Sequence, residues 1–454
     1  MTLDCAALNG ALVVPRALLL RCYHPLKNSV VNASTPELMP VLTAAQLVLD
    51  CAQPLGPEWV PLAAARDRIL ARDLLSPQDF PAANTSSMDG YAVRHADIAT
   101  IPCQLAVSAT LPAGTVTTEP LQPGRAVRIF TGSQLPPGAD TVVMQEDTER
   151  LDECSVRILE PYSLGKFVRS AGQFCRVGDV LVRKGQRLAA PEVALLAAVR
   201  QLNVRVYRRP RVTLFSTGDE LVRADQKPGP GQIVDSNQPG LEALVQAAGG
   251  LPQCLGIVRD TTAGQISGGK AKLKRTIAQA LTCTDLILSS GGVSVGDYDL
   301  VEEVLAELGA TIHIRKVAIK PGKPFTFATF ESAFPPGPQV LYCGLPGNPV
   351  SAMVCFWRFV KPLLRKLQGE LPPWSPSFPR AIATAELRAG GKRETYLWGN
   401  VRVEDGQLRF APANEHGSGN LVNLAGTNAL AILAIGQTCI AAGEPVPVLL
   451  SQPI

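Results

Sequence analysis

Five short loops in this chain combine glycine, lysine and carboxylate residues in a pattern suited to a phosphorylated ligand. Ser216-Thr217-Gly218-Asp219-Glu220-Leu221 follows the apolar run Val212–Phe215, and Arg259-Asp260-Thr261 follows Cys254–Val258. Ser289-Ser290-Gly291-Gly292-Val293-Ser294-Val295-Gly296-Asp297-Tyr298-Asp299 follows Leu286–Leu288. Ile319-Lys320-Pro321-Gly322-Lys323-Pro324 follows Ile312–Ala318, and Gly344-Leu345-Pro346-Gly347-Asn348-Pro349-Val350-Ser351 follows Val340–Cys343. A glycine-rich turn between strand and helix lets backbone N–H groups approach an anion. Gly218, Gly291, Gly292 and Gly296, with the hydroxyls of Ser290 and Ser294, are placed for that role. Lys316, Lys320 and Lys323 add cations for phosphate or oxyanion groups. Pro346, Asn348 and Ser351 shape a second turn at a helix start. Glu220, Asp260, Asp297 and Asp299 supply hard oxygen ligands for a divalent ion such as magnesium, or sites for a proton. No Gly-x-x-x-x-Gly-Lys-Ser/Thr sequence occurs, so the phosphate loop is not of the Walker form.

These loops need a scaffold that brings strand ends together. Between residues 206 and 370 the apolar runs alternate with helical patterns at 240–248, 262–281, 300–308 and 350–367. That alternation predicts an open α/β sheet, with ligands outside the carboxyl ends of its strands. All five loops then fall on one sheet edge. Residues 80–170 carry short strands separated by Pro-Ala-Gly, Gln-Pro-Gly and Pro-Pro-Gly turns, which predicts an inserted β-rich domain. Residues 37–79 and 171–205 share a helical and extended style, with Thr43 as an N-cap and a helix near Pro191–Val199, and form one discontinuous segment. Residues 371–454 are strand-like and predict a C-terminal β domain. In residues 1–36 Pro15 and Arg16 break the apolar run a secretory signal needs; the segment is expected to be a disordered extension or an early start ahead of Met39, with an acid-poor organelle transit peptide as the alternative. The whole is a multidomain α/β protein.

Composition removes several classes of function. The 454 residues hold 46% hydrophobic and 18% charged residues, with Gly 39 and Pro 38. That is too apolar for a disordered chain, and the glycines lack a collagen period. No run of about 18 apolar residues predicts a membrane span. The net charge is +4, without a basic stripe, so no nucleic-acid partner is expected. Eleven cysteines without a Cys-x-x-Cys pair read as reduced thiols in a cytoplasmic compartment. With four isolated histidines, a zinc site is not expected.

Ser87-Met88-Asp89-Gly90-Tyr91-Ala92-Val93, Thr131-Gly132 and Pro137-Gly138-Ala139-Asp140, taken in order with the five loops, resemble the molybdopterin molybdenumtransferase family. This MoeA family includes the E domain of gephyrin, and the resemblance runs from about residue 40 to the end. It implies a four-domain elongated subunit, a homodimer and the last step of molybdenum cofactor synthesis. In that step molybdate enters the dithiolene of adenylylated molybdopterin, AMP leaves, and magnesium takes part. It further implies a site between subunits, with 88–91 and Thr131 of one facing the α/β domain of the other. Asp89, Thr131, Glu220, Asp260 and Asp299 match catalytic positions, and the last three of these match magnesium positions. Lys316, Lys320 and Ser351 match ligand or molybdate positions. The adenylyltransferase of cofactor synthesis, which shares the Gly-Gly loop, is an implied partner.

The chain departs from the family pattern twice. Ala83-Asn84-Thr85-Ser86 stands where Phe-Asp-Asn-Ser is common, and Gly172-Gln173-Phe174 where Gly-Glu-Asp is usual. The second departure removes two carboxylates, one of them at a position linked to the active site in the family. The alternatives are a pterin-binding scaffold of the same fold, without turnover, or the adenylyltransferase step itself. Preference for molybdate over tungstate is not encoded in any motif.

Overall fold

A computed structural model describes residues 38–261, 266–292, 300–331 and 339–452. The predicted extension therefore lies outside the described residues, as do Ser294, Gly296, Asp297 and Asp299.

The first helix, Val41–Asp50, buries Val41, Ala44, Ala45, Val48 and Leu49. That spacing of three and four residues lays one apolar stripe along a 3.6-residue turn. Pro40 occupies the N-cap position. Thr43, expected there, sits inside the first turn instead, because the apolar stripe starts two residues earlier at Val41. The helix packs on residues 349–367, where Pro349–Cys355 and Lys361–Leu367 flank a π-turn at Phe356–Val360.

Strand Pro57–Pro61 pairs antiparallel with Asn203–Tyr207, and Leu74–Leu75 with Val180–Val182. Between them a six-stranded sheet runs in the order Thr141–Met144, Gly90–Val93, Arg125–Ile129, Cys103–Leu111, Ser155–Ile158, Thr148–Arg150. Gly90 is fixed by a close approach: a Cβ there would stand 1.9 Å from the Val143 carbonyl oxygen. Gly90→Ala is expected to cost about 1–3 kcal/mol as the neighbouring strand is pushed aside, read as a lower midpoint in denaturant.

The α/β sheet has the order Leu251–Val258, Arg211–Thr217, Leu286–Ser290, Val340–Leu345, Pro324–Phe330, Thr311–Lys316. The first four strands are mutually parallel, and Pro324–Phe330 runs antiparallel to both its neighbours. Two consecutive reversals restore the direction of Thr311–Lys316, so its carboxyl end also reaches the loop-bearing edge. Ser216 is level with Ser290, Ser290 with Leu345, and Lys316 with Pro324. The central strand Leu286–Ser290 is buried throughout, as apolar cover on both faces requires. Helices Asn237–Ala247 and 349–367 belong to the core on one face. Helices Ile266–Leu281 and Leu300–Glu307 belong to that on the other.

Toward the C-terminus, Arg380–Ala383, Glu394–Glu404, Gln407–Pro412, Ala429–Leu433 and Pro445–Leu450 form another sheet. The long strand Glu394–Glu404 pairs with Gln407–Pro412 through its second half and with Ala429–Leu433 through its first. The sheet thus closes on itself. Ile319–Lys320 adds to it from outside, parallel to Glu394–Thr395.

Candidate functional site

The strand ladder between Leu286–Ser290 and Val340–Leu345 ends at the pair Ser290 and Leu345. Beyond it the two chains part into glycine turns. Gly291 has φ 88° and Gly292 φ 65°, in the left-handed region that a side chain disfavours. A Cβ at Gly291 would lie 2.5 Å from the Thr217 carbonyl oxygen, so this turn is pressed against the neighbouring loop. The Gly291 N–H donates to the Leu345 carbonyl at 3.1 Å.

Carboxylates gather at the ends of the two strands on the other side. Asp219 is engaged, accepting from the Thr261 N–H at 3.2 Å and the Thr261 hydroxyl at 2.7 Å. Glu220 folds back over Gly218, where a Cβ would stand 2.7 Å from its Oε2. Asp260 is half-buried. Burial, then the charges of Asp219 and Glu220, push its carboxyl up to about 6. Such a group holds more negative charge than its surroundings tolerate, a condition a cation relieves. Among the described residues no three His, Cys, Asp or Glu side chains converge on one point. Magnesium does not require three, since it is commonly held by one or two carboxylates, waters and substrate phosphates. Glu220 and Asp260 fit that donor set.

The lysine loop builds the opposite end of the edge. Val317 N–H donates to the Lys323 carbonyl at 3.0 Å, closing the turn. Lys320, Lys323, Asn348 and the buried Ser351 line a cleft of about 390 Å³. Its other walls come from the C-terminal region, residues 388–418, and include Arg388, Arg393, His416 and Ser418. Arg393 donates to the Ile319 carbonyl at 3.3 Å. The Val350 N–H donates to the Ser418 carbonyl at 3.1 Å, which seats that loop on the helix start. His416 stacks edge-on against Trp398, with centroids 4.7 Å apart, and burial holds its imidazole below the usual value. The neutral ring leaves the cationic work to lysine and arginine. Four cations, with the hydroxyls of Ser351 and Ser418 among those lining the cleft, suit a dianionic oxyanion.

Of the residues expected at the site, Gly218, Glu220, Asp260, Ser290, Gly291, Gly292, Lys320, Lys323, Pro346, Asn348 and Ser351 lie along this edge. Lys316 lies at the end of its strand, its carbonyl accepting from the Met39 N–H at 3.1 Å, and does not line the cleft. Asp89 and Thr131 belong to the separate β-rich sheet. There the Asp89 carboxylate accepts from the Thr131 N–H at 2.7 Å and its hydroxyl at 2.8 Å. Those bonds hold the acid below its ordinary range and ionised. The departures are structural: Asn84 Oδ1 accepts from the Ala171 N–H at 2.9 Å, and Phe174 packs at 6.1 Å on Phe80. Arg388, Arg393, His416 and Ser418 escaped sequence reasoning, since no motif marks them.

An anion cleft beside glycine turns on an α/β sheet defines a class, and residues 213–366 match the model of a probable molybdopterin-binding domain. Residues 39–199 match the MoeA N-terminal region (domains I and II), and residues 380–451 the MoeA C-terminal region (domain IV). The chain is 50% identical over 397 residues to the molybdopterin molybdenumtransferase of Nostoc sp., covering 86% of this chain and 88% of that protein. It is 34% identical to the Haemophilus influenzae protein of that name over 87% of this chain and 94% of the relative. A crystal structure of the molybdopterin biosynthesis MoeA protein from Pyrococcus horikoshii superposes with a TM-score of 0.76 at 30% identity. It covers 92% of this chain and 100% of the other. The chain belongs to the MoeA family.

Proposed function

We propose that this chain is a molybdopterin molybdenumtransferase, inserting molybdate into adenylylated molybdopterin with release of AMP. The observation that carries the proposal is the sheet edge itself. A cationic cleft, a glycine turn and two carboxylates without a hydrogen-bond donor among the described residues lie along it, groups suited to an oxyanion, a pterin and a metal-bound pyrophosphate. Lys320, Lys323 and Arg393 bind and orient molybdate, with the Ser351 hydroxyl donating to an oxygen. The backbone of Ser290, Gly291 and Gly292 seats the pterin, and Pro346 and Asn348 shape the facing wall. Glu220, Asp260 and Asp299 would hold magnesium, which supplies charge neutralisation at the pyrophosphate. Asp89 and Thr131, fixed to each other, are assigned to a second copy's site in a homodimer. The compartment is the cytoplasm. No helix of the described residues is long and apolar enough to cross a membrane.

The test is molybdate-dependent release of AMP from adenylylated molybdopterin by the purified chain. Turnover with molybdate supports the assignment. Binding without turnover points to a scaffold, and consumption of ATP with free molybdopterin to the adenylyltransferase step. Arg393→Ala is expected to raise the molybdate KM about tenfold, the worth of one charged hydrogen bond, with little effect on the KM of the pterin.

A further inference from the structure

Asn237 opens the helix Asn237–Ala247 and is buried, 8% exposed. Its Nδ2 donates to Ser290 Oγ at 2.5 Å and to the Gly347 carbonyl at 2.7 Å. A carbonyl only accepts, so the amide orientation is fixed by Gly347. Ser290 Oγ in turn donates to the Pro346 carbonyl at 3.3 Å. Asn237 is itself held from below. Its own N–H and that of Gln238 donate to Asp235 Oδ1 at 3.0 and 3.2 Å. The Asp235 N–H is tied to the Val222 carbonyl at 2.8 Å. A rigid support thus presents one side-chain amide where the ladder ends and the two turns separate.

We infer that Asn237 is a positioning residue that sets the spacing between the Gly291–Gly292 turn and the Asn348–Ser351 turn. This rests on the reading of those turns as pterin and molybdate sites. One donor grips the residue before the first turn, and the other grips the residue before Asn348. The Gly291 N–H bond to Leu345 and the Val350 N–H bond to Ser418 hold the two turns independently of the amide, so each substrate alone is expected to find its subsite. What the amide fixes is the distance between the reacting ends of the two substrates. Misplacement of about 1 Å between reactants costs on the order of 100-fold in rate.

The test uses the full chain carrying Asn237→Ala or Asn237→Asp. The aspartate is isosteric but loses both donated bonds: it could meet Ser290 only by drawing that hydroxyl away from Pro346, and it places an unprotonated oxygen against the Gly347 carbonyl. Adenylylated molybdopterin and molybdate are each titrated alone, and AMP release is measured per folded molecule well below the unfolding temperature. The expected result is single-substrate affinity within about threefold of wild type, with AMP release lowered about 10- to 100-fold. A residue that only supports the fold would lower the melting temperature and leave turnover of folded protein intact. That result in either variant overturns the inference. So does a loss of rate fully accounted for by weaker binding of one substrate. If Asn237→Ala does not fold, Asn237→Asp decides. Wild-type protein that releases no AMP with molybdate removes the functional reading and this inference together. Unchanged turnover in Asn237→Asp removes the positioning role alone.

Discussion

Asp260→Asn lowers molybdate-dependent AMP release by about 100-fold or more, while the protein stays folded. The size follows from removing a carboxylate that would hold magnesium against the negative charge developing at the pyrophosphate, worth about 3–4 kcal/mol in comparable sites. The retention of the fold follows from the environment of Asp260. It is half-buried, and burial with Asp219 and Glu220 pushes its carboxyl up to about 6. The folded protein therefore holds this charge against its own preference, and an uncharged amide of the same shape relieves the repulsion. Activity and stability respond in opposite directions, which separates a functional carboxylate from a structural one. Glu220→Gln should follow the same course, with a weaker response of AMP release to added magnesium. Unchanged AMP release in both variants would remove these carboxylates from the site.

Asp285→Ala destabilises the protein by about 3 kcal/mol, the low end for breaking a buried ion pair from one side. Asp285 lies at the opposite edge of the α/β sheet. It accepts from Arg208 at 2.5 and 2.6 Å and from the Arg211 N–H at 2.8 Å, and its side chain is 4% exposed. Burial alone would raise its carboxyl. The Arg208 hydrogen bonds, the Arg211 N–H and both guanidinium charges outweigh burial and hold it below the usual range. The pH dependence has a definite sign. A carboxylate with a lowered folded value contributes its full stability above the unfolded value of about 4. That contribution is lost as pH falls through the lower folded value. The gap between wild type and Asp285→Ala in urea should therefore be constant near neutrality and close in acid. A gap independent of pH would show that lost packing, rather than the ion pair, sets the cost.

The parts legible in the sequence were those written in local pattern. Apolar runs of strand length, glycine turns and helical periods located the α/β sheet and the residues on its edge. The run Leu286–Leu288 announces a strand buried on both faces, and Gly291–Gly292 announces a backbone that must turn tightly. The strand Pro324–Phe330 is not marked in the sequence, because it begins inside the Lys-Pro-Gly-Lys-Pro turn and is buried at both its faces, with Thr326 on one and Thr329 on the other, so no polar alternation sets it off. Arg393 and Ser418 were hidden for another reason. They enter the cleft because Glu394–Glu404 pairs along its two halves with different strands and closes the C-terminal sheet. Closure is a long-range fact that no window of residues encodes. The link between Asn237 and Gly347 is of the same kind, formed by residues 110 positions apart.

The outside strand Ile319–Lys320, paired with Glu394–Thr395, has a consequence for how such a protein can be inherited. One dipeptide ends the lead-in to the lysine turn and also edges the C-terminal sheet. A central domain copied into another chain would carry its glycine turns and carboxylates intact, and could still grip a pterin. It would leave behind Arg393, Ser418 and the backbone that pins Lys320. The glycine turns are the property of one domain, whereas the cationic cleft is lined by two neighbours and must be passed on as a pair.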